Sequence, residues 1–500
     1  MIHKLYDVVF DNRKDRKELY IKSVSNEVEI QRKSILCSAV NTELDLCTYF
    51  NSFSIKKWKQ YTTIKNIYIK ADIVGIFDIE IYGINSNSEI LLKKVNDTDV
   101  LDEMIQVDEI DVDIIALKIT SKQKNSKIEN ITYYGYFETW ESKKIGAVIC
   151  TFQREEYVQR TMNKLISFSK EDNDWLSIVI VDNGRSLKEI NCDNLKIIHN
   201  PNFGGSGGFT RGIIETLEDT ANDYILLMDD DIDIDTTALE RMHSLLSSLK
   251  DEYKESFLSG AMLNIDEPCM QYENTAYWNK YRFCSLGFNL NLAKKEDFIK
   301  NADIHDYTDQ YAAWWYCCIP VKRIYSIGLP LPLFVKGDDI EYSIRNNRKI
   351  LFINGIAVWH EPFSKKNSAW VNYFSDRNML IVNILAKSSS RIYFSLSLSL
   401  RIIRRILFDC NKNSLWILSI ALTDFKNILS NKYICRQDEF LDILRRGNDS
   451  IGICYSLIKI TISYMEILFN YKKIKADYKK YINNNLIDCS YWKQIMYREV

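Results

Sequence analysis

Proline and glycine are scarce in this chain, at 6 and 17 of 500 residues. With no low-complexity tract either, that shortage argues against long disordered linkers. An excess of one charge is also missing. Lys and Arg total 65 against 67 Asp and Glu, a formal net charge of −2, so no global basic field points to nucleic acid. Histidine is rare, with five residues. The twelve cysteines stand singly apart from the Cys317-Cys318 pair. Without a Cys-x-x-Cys pair, a structural zinc site is not expected, and a reducing cytoplasm is. No apolar signal core follows Met1-Ile2-His3-Lys4, and the longest apolar stretch, near Leu415–Leu422, is far short of the roughly 20 residues that span a bilayer. A soluble or peripheral protein is the expectation.

What is present is length and pattern. Five hundred residues exceed one core, so several domains are expected. Residues 1–140 hold short alternating runs such as Ile67–Ile73, Phe77–Gly83, Ile114–Ile119 and Ile131–Phe137, separated by polar turns. That pattern predicts an antiparallel β-sandwich with no catalytic constellation of its own. From Lys144 the pattern changes. Continuous apolar strands (Ile145–Phe152, Leu176–Val181, Leu195–Ile198, Tyr224–Met228) alternate with helical segments. This predicts a multidomain α/β chain whose central domain, residues 141–370, is a doubly wound parallel sheet. Residues 371–500 read as helical. The amphipathic stretch Ile392–Phe408 is expected to pack on the preceding domain, with docking on an anionic membrane as the alternative. The lysine-rich segment Tyr471–Tyr481 reads as a solvated helix.

The chemistry gathers where strands end. Tyr224–Met228 runs into Asp229, Asp230 and Asp231, and three carboxylates at one strand end call for a divalent cation with oxygen ligands. Asp233 and Asp235 read as ordinary solvated charges. Thr151 and Arg154 follow the first strand, where a hydroxyl and a guanidinium can hold a nucleotide, or simply cap a helix. Asp182 and Gly184 end the second strand in Asp-Asn-Gly, either a ribose or base contact or a turn. Asn200–Gly208 packs Gly204, Gly205, Gly207 and Gly208 behind Asn202, and reads as a loop against a sugar nucleotide. It fits neither a P-loop nor the dinucleotide fingerprint. Asp338 and Asp339 open a helix, where one carboxylate can be a general base and the other a cap. His360, after Val358-Trp359, can complete an oxygen and nitrogen shell for Mn²⁺ or Mg²⁺. Trp314 and Trp315 suggest an apolar wall for a sugar face, or core.

Taken in order, these motifs resemble inverting family-two glycosyltransferases of the GT-A fold, most closely the bacterial polymerising galactofuranosyltransferases. The carrying residues are Thr151–Arg154, Val181–Gly184, Asn200–Gly208, Met228–Asp231, Trp314-Trp315, Val335–Tyr342 and Trp359-His360. The resemblance implies a sugar-nucleotide donor, UDP-galactofuranose, and a glycan or lipid-linked glycan acceptor. It implies that Asp229, Asp231 and His360 bind the metal and that Asp230 belongs to the same nucleotide-binding run. Thr151, Arg154, Asp182, Gly184, Asn202, Gly204 and Gly205 would then line the UDP site. Asp339, beside Asp338, would be the base, and Trp314, Trp315 and Glu273 would meet the acceptor. Gly337 departs from the family, which has a bulky aromatic there. The resemblance also implies work at the cytoplasmic face of a membrane and leaves room for a homo-oligomer. Two rivals stay open: a transferase using UDP-hexopyranose or dTDP-rhamnose, and a non-catalytic carbohydrate-binding protein. A nicotinamide oxidoreductase is disfavoured, because no glycine fingerprint follows the first strand.

Overall fold

The computed structural model describes residues 1–23, 28–85, 88–171, 173–188, 190, 192–219, 221–280, 282–362, 369–409, 411–427 and 452–497. The chain opens with two antiparallel sheets. One orders Val28–Gln31, Ser34–Cys37, Ser126–Phe137, Ile64–Val74 and Leu101–Gln106, with Ile2–Asp7 also paired to Ser126–Phe137. The other orders Lys22–Ser23, Glu43–Asp45, Ile114–Ser121, Phe77–Asn85 and Ser88–Thr98. The alternating runs do form strands: Ile67, Ile69, Ile79, Ile81 and Ile119 all enter the shared core.

The central sheet orders Leu195–His199, Leu176–Asp182, Ile145–Thr151 and Tyr224–Asp229 as parallel neighbours. Tyr316–Pro320 then pairs antiparallel with Tyr224–Asp229, and Phe257–Ser259 and Ile350–Leu351 complete the edge. The three inner parallel strands are apolar on both sides because each side has its own cover. Ile145, Ala147, Ile149, Ile178, Ile180, Leu226 and Met228 share one core with the sandwich. Val148, Val179, Val181, Ile225 and Leu227 share another with the helices Gly204–Glu218, Ala369–Leu385 and Lys412–Lys426. The sheet is therefore pressed from both faces, and its carboxyl edge is held in place.

Two helical expectations change. The glycine run is not a loop: helix Gly204–Glu218 begins at its first glycine. An added Cβ at Gly208 would lie 2.0 Å from Cys150 Sγ, and at Gly212 2.1 Å from Val148 Cγ1. These glycines let the helix lie against the strand Ile145–Thr151, so packing explains them more than mobility does. The lysine-rich tail is also not solvated all round. Helix Tyr471–Asn485 buries Tyr471, Ile474, Tyr478, Tyr481 and Ile482 and exposes its lysines between them. No described helix is long and apolar enough to cross a membrane, and Leu415–Leu422 lies largely buried within Lys412–Lys426.

A methyl group at Gly208 has nowhere to go, whereas Gly205 has no heavy atom within 4 Å of its missing Cβ. We expect Gly208→Ala to destabilise the protein by about 1–3 kcal/mol through overpacking. Gly205→Ala should be neutral or stabilising by up to about 1 kcal/mol, since alanine is the better helix former. Urea unfolding of the two variants measures the contrast.

Candidate active site

The parallel strands bring Thr151, Asp182, His199 and Asp229 to one edge. Thr151 stands in register with Asp182, Cys150 with Asp229, and Asp182 with His199. Beyond Asp229 the chain turns and enters a short strand, Asp233–Ile234, that pairs antiparallel with Ala357–His360. Asp233 lies opposite Trp359 and Ile234 opposite Val358. This pairing carries His360 back to the acid run, although 129 positions separate it from Asp231 in the sequence.

Asp229, Asp231 and His360 each offer a donor atom, and these atoms lie within 4.8 Å of one another. His360 Nε2 is 2.9 Å from Asp231 Oδ1 and 3.5 Å from Asp229 Oδ2. Its Nδ1 lies 2.6 Å from the Glu361 carbonyl oxygen, which can only accept, so Nδ1 carries the hydrogen. The lone pair of a neutral Nε2 would then face carboxylate oxygens, an arrangement stable only with a proton or a cation between them. Two carboxylates and one imidazole nitrogen match Mn²⁺ or Mg²⁺. The donor set fits.

Asp230 turns away from that cluster. Its carboxylate accepts from Thr151 Oγ1 at 2.7 Å and from Arg154 Nη1 at 3.2 Å, and Arg154 also reaches Asp231 Oδ2 at 2.6 Å. Burial, opposed by Thr151 and Arg154 but aided by Asp231 and Asp229, pushes its carboxyl up to about 6. Arg154 precedes helix Glu155–Ser169 and stays partly accessible, whereas Thr151 is buried. Asp182 is buried too. Its oxygens accept from the backbone N–H groups of Gly184, Ser186 and Leu187 at 2.9, 2.6 and 2.8 Å, so it shapes the turn around Gly184 from behind. Asn202 Oδ1 accepts from Gly204 N at 3.0 Å and thereby starts the glycine helix.

Across the site, helix Asp338–Asn346 opens on the second acid pair. The preceding backbone is left-handed at Phe334, Lys336 and Gly337, with φ of 68, 69 and 84°. Non-glycine residues rarely hold such angles unless their surroundings impose them. Here Asn378 Nδ2 donates to the carbonyls of Leu333, Val335 and Lys336 at 3.1, 2.9 and 2.8 Å, while buried Arg377 donates to Leu333 O at 3.1 Å. Ser206 N meets Phe334 O at 3.1 Å from the other side. Burial raises both Asp338 and Asp339 above the ordinary carboxylate range, and the charge of Asp339 raises Asp338 further. The buried Cys150 thiol lies far above its usual value, through burial and then the charges of Asp230, Asp229, Asp182 and Asp338. Helix Gly204–Glu218 touches both sides: Ser206 N bonds Phe334 O, and Gly208 packs on Cys150, the register neighbour of Asp229.

Asp339 acts instead on Glu273. Glu273 is buried, bonded by Ser285 Oγ, and pushed up to about 7 by burial and then by Asp339, against the Ser285 bond. Trp314 and Trp315 are only 4% and 6% exposed. Trp314 packs on Phe209 and Tyr342, and Trp315 Nε1 donates to Gly260 O at 2.8 Å. Both indoles support the site from the core rather than offering an open face.

Sequence reasoning passed over the N-terminal contribution. Asp233 and Asp235 are not solvated charges. Arg16 Nη1 lies 2.7 Å from Asp233 Oδ2, and its guanidinium sits 3.9 Å from the Trp359 ring centroid. Arg16 thus grips both partners of the pair that joins His360 to the acids. Arg32 and Tyr20 meet Asp235 at 2.8 and 2.9 Å. Burial alone would raise Asp235, but Arg32, Thr237 N–H and Tyr20 override it and hold it down to about 2. Nothing in the local sequence around Arg16 announces this role; only the fold brings it to Trp359.

The folded protein holds the Glu273 proton to higher pH than the unfolded chain does. Stability should therefore fall as pH rises from about 4.5 to about 7, by on the order of 3 kcal/mol for this one group. Glu273→Gln should flatten that part of the profile, as read from unfolding midpoints at pH 5 and 7.5.

Comparison with known proteins agrees with this geometry. Residues 147–262 match the family model for glycosyl transferase family 2, and residues 9–121 match that for the galactofuranosyltransferase 2 N-terminal domain. Galactofuranosyltransferase GlfT2 of Mycobacterium tuberculosis is 24% identical over 408 residues, 74% of this chain and 63% of that protein. Its counterpart in Mycolicibacterium smegmatis is 26% identical over 409 residues, 74% of this chain and 62% of the relative. The chain thus spans a little over three-fifths of the length of these curated relatives. The crystal structure of S. aureus TarS 1-349 in complex with UDP-GlcNAc is 15% identical, with a TM-score of 0.37 over 67% of this chain and 92% of that one. The chain therefore carries a family-two glycosyltransferase domain behind a galactofuranosyltransferase-type N-terminal domain, and is a distant relative of the mycobacterial galactofuranosyltransferases.

Proposed function

We propose that this protein is a metal-dependent inverting glycosyltransferase that moves galactofuranose from UDP-galactofuranose to a hydroxyl of a cell-surface glycan, such as a capsule, an O-antigen or cell-wall galactan. One observation carries the reading. An Asp229, Asp231 and His360 cluster suited to Mn²⁺ or Mg²⁺ stands opposite a second acid pair, Asp338 and Asp339, whose affinity for a proton is raised by burial. Cation and base on two sides of one edge are what glycosyl transfer with inversion requires.

Asp229, Asp231 and His360 would hold the cation, whose chemistry is to offset the charge of the departing diphosphate. Arg154 would add a second positive group on the same side, already aligned by Asp230 and Asp231. Gly184, Asn202, Gly204 and Gly205 would border the nucleotide, with Thr151 and Asp182 fixing their backbone from beneath. Asp339 would accept the proton of the acceptor hydroxyl as that oxygen bonds to the anomeric carbon. The bond from that carbon to the phosphate oxygen breaks, and UDP leaves from the opposite face. The raised affinity of Asp339 for a proton suits a general base working near neutral pH. Glu273, charged or neutral, would bond acceptor hydroxyls next to that base. A lipid-linked glycan acceptor would place the reaction at the cytoplasmic face of a membrane, and association of copies of the chain is compatible with it.

Purified Asp339→Asn should bind UDP with Mn²⁺ as the parent does in calorimetry, while transfer falls about 10²–10⁴-fold. Asp231→Asn should weaken the metal-dependent part of UDP binding. Retained turnover in Asp339→Asn removes that residue as the base. A donor panel of UDP-galactofuranose, UDP-hexopyranoses and dTDP-rhamnose, scored by nucleotide release with acceptor present, tests the sugar. UDP binding that ignores the cation overturns the metal site.

A further inference from the structure

Among the described residues, two C-terminal helices leave one side without a protein partner. Helix Arg391–Phe408 buries Phe394, Ser397 and Leu398 and turns the opposite stripe outward: Ile392, Leu396, Leu400, Ile403 and Leu407 are exposed. Phe408 extends the stripe at 79% exposure. Helix Ile453–Phe469 repeats the pattern. Ser456, Ile460, Ser463 and Ile467 face inward, while Tyr455, Ile458, Ile462, Met465 and Phe469 face out. The helices lie side by side. Ser399 Oγ is 2.9 Å from Tyr464 OH, and Arg391 Nη2 donates to Leu468 O at 3.0 Å. Eleven large apolar side chains on two neighbouring helices make a contiguous patch of the kind that soluble monomers seldom leave in water.

Charge selects the occupant. Arg391–Phe408 contains no acidic residue but four arginines, and Arg391 and Arg404 are exposed beside the stripe. In Ile453–Phe469 the single acid, Glu466, is paired with Lys426. Exposed Lys472 and Lys473 follow Phe469 after Asn470 and Tyr471. At the end of the first helix Arg401, Arg404 and Arg405 line a cavity of about 650 Å³ with Asn411 and Asn413. Asp376 in that cavity meets Arg401 at 2.8 Å and Arg405 at 2.9 Å, which leaves Arg404 as its outward cation. A flat apolar face edged by bases is the profile of a helix pair lying in a membrane interface, with side chains among acyl chains and cations at phosphates.

We propose that the outward faces of Arg391–Phe408 and Ile453–Phe469 form a docking surface for an anionic phospholipid bilayer, with Arg391, Arg404, Lys472 and Lys473 at headgroup level. This surface is separate from the acid clusters and does not depend on which sugar the protein transfers.

Flotation of the full chain with vesicles tests it. Binding to phosphatidylcholine–phosphatidylglycerol vesicles should exceed binding to pure phosphatidylcholine at least tenfold and should weaken in high salt. The double variant Leu400→Asp, Ile462→Asp replaces two exposed side chains and should lose at least tenfold of that binding. Arg404→Glu should reduce the preference for the anionic lipid. Circular dichroism and metal-dependent UDP binding should match the parent in both, so failure here is separable from failure of the transferase reading. Absence of vesicle binding by the folded parent overturns the proposal, as does full binding by the double variant. If the parent ignores vesicles, and the double variant turns an oligomer into a monomer in sedimentation velocity, the face belongs to a second copy of the chain.

Discussion

The Asp229, Asp231 and His360 cluster is drawn together by a two-residue antiparallel pairing, Asp233–Ile234 against Val358–Trp359. It joins the segment that carries the three acids to the strand that carries the imidazole. The strand Ala357–His360 also pairs in parallel with Ala261–Asn264, and His360 Nε2 stands 2.9 Å from Asp231 Oδ1. Two backbone-paired residues are weak alone, and the protein reinforces them from outside the central domain. Arg16 stacks on Trp359 and ion-pairs with Asp233, so one buried guanidinium spans both strands. Lys164, on the first helix after Thr151, holds Asp233 from the other side.

The second acid pair is fixed by a different device. Left-handed backbone at Phe334, Lys336 and Gly337 bends the chain sharply enough to start a helix on Asp338. Such angles cost on the order of 1–3 kcal/mol each at non-glycine residues. Asn378 offsets this by donating to three carbonyl groups of the bend, and helix Gly204–Glu218 closes in because Gly204 lets its backbone reach Phe334 O. The C-terminal helices therefore hold this bend as well as covering one face of the central sheet. Gly337 also has a local reason to be glycine: its φ is 84°, and a Cβ there would meet Met379 Cε at 2.8 Å.

Much of this is legible in the sequence. An unalternating apolar strand ending in acids announces its position, because only a strand covered on both faces can be apolar throughout and only its end can carry charge. The order of motifs from Thr151 to His360 then suggested the class of chemistry. Other features were opaque for physical reasons. The glycine run read as a loop because glycine disfavours helix, yet Gly208 and Gly212 are there so that a helix can approach Cys150 and Val148. Strand Ser88–Thr98 is exposed on nearly every residue, so it has no alternation to read. Asp233 and Asp235 looked like surface charges because their partners, Arg16 and Arg32, lie about 200 positions earlier in the sequence.

The division of cations between the domains bears on how such a chain can be inherited. Arg13, Arg16 and Arg32 all come from loops and turns of the N-terminal domain, while the carboxylates they neutralise, Asp233 and Asp235, belong to the central one. A gene fragment encoding only the part after Phe137 would leave Trp359 bare and Asp235 without Arg32 and Tyr20. The sandwich is thus not an appendage that shuffling could exchange freely. It must travel with its own central domain, and each of the two constrains which substitutions the other can accept.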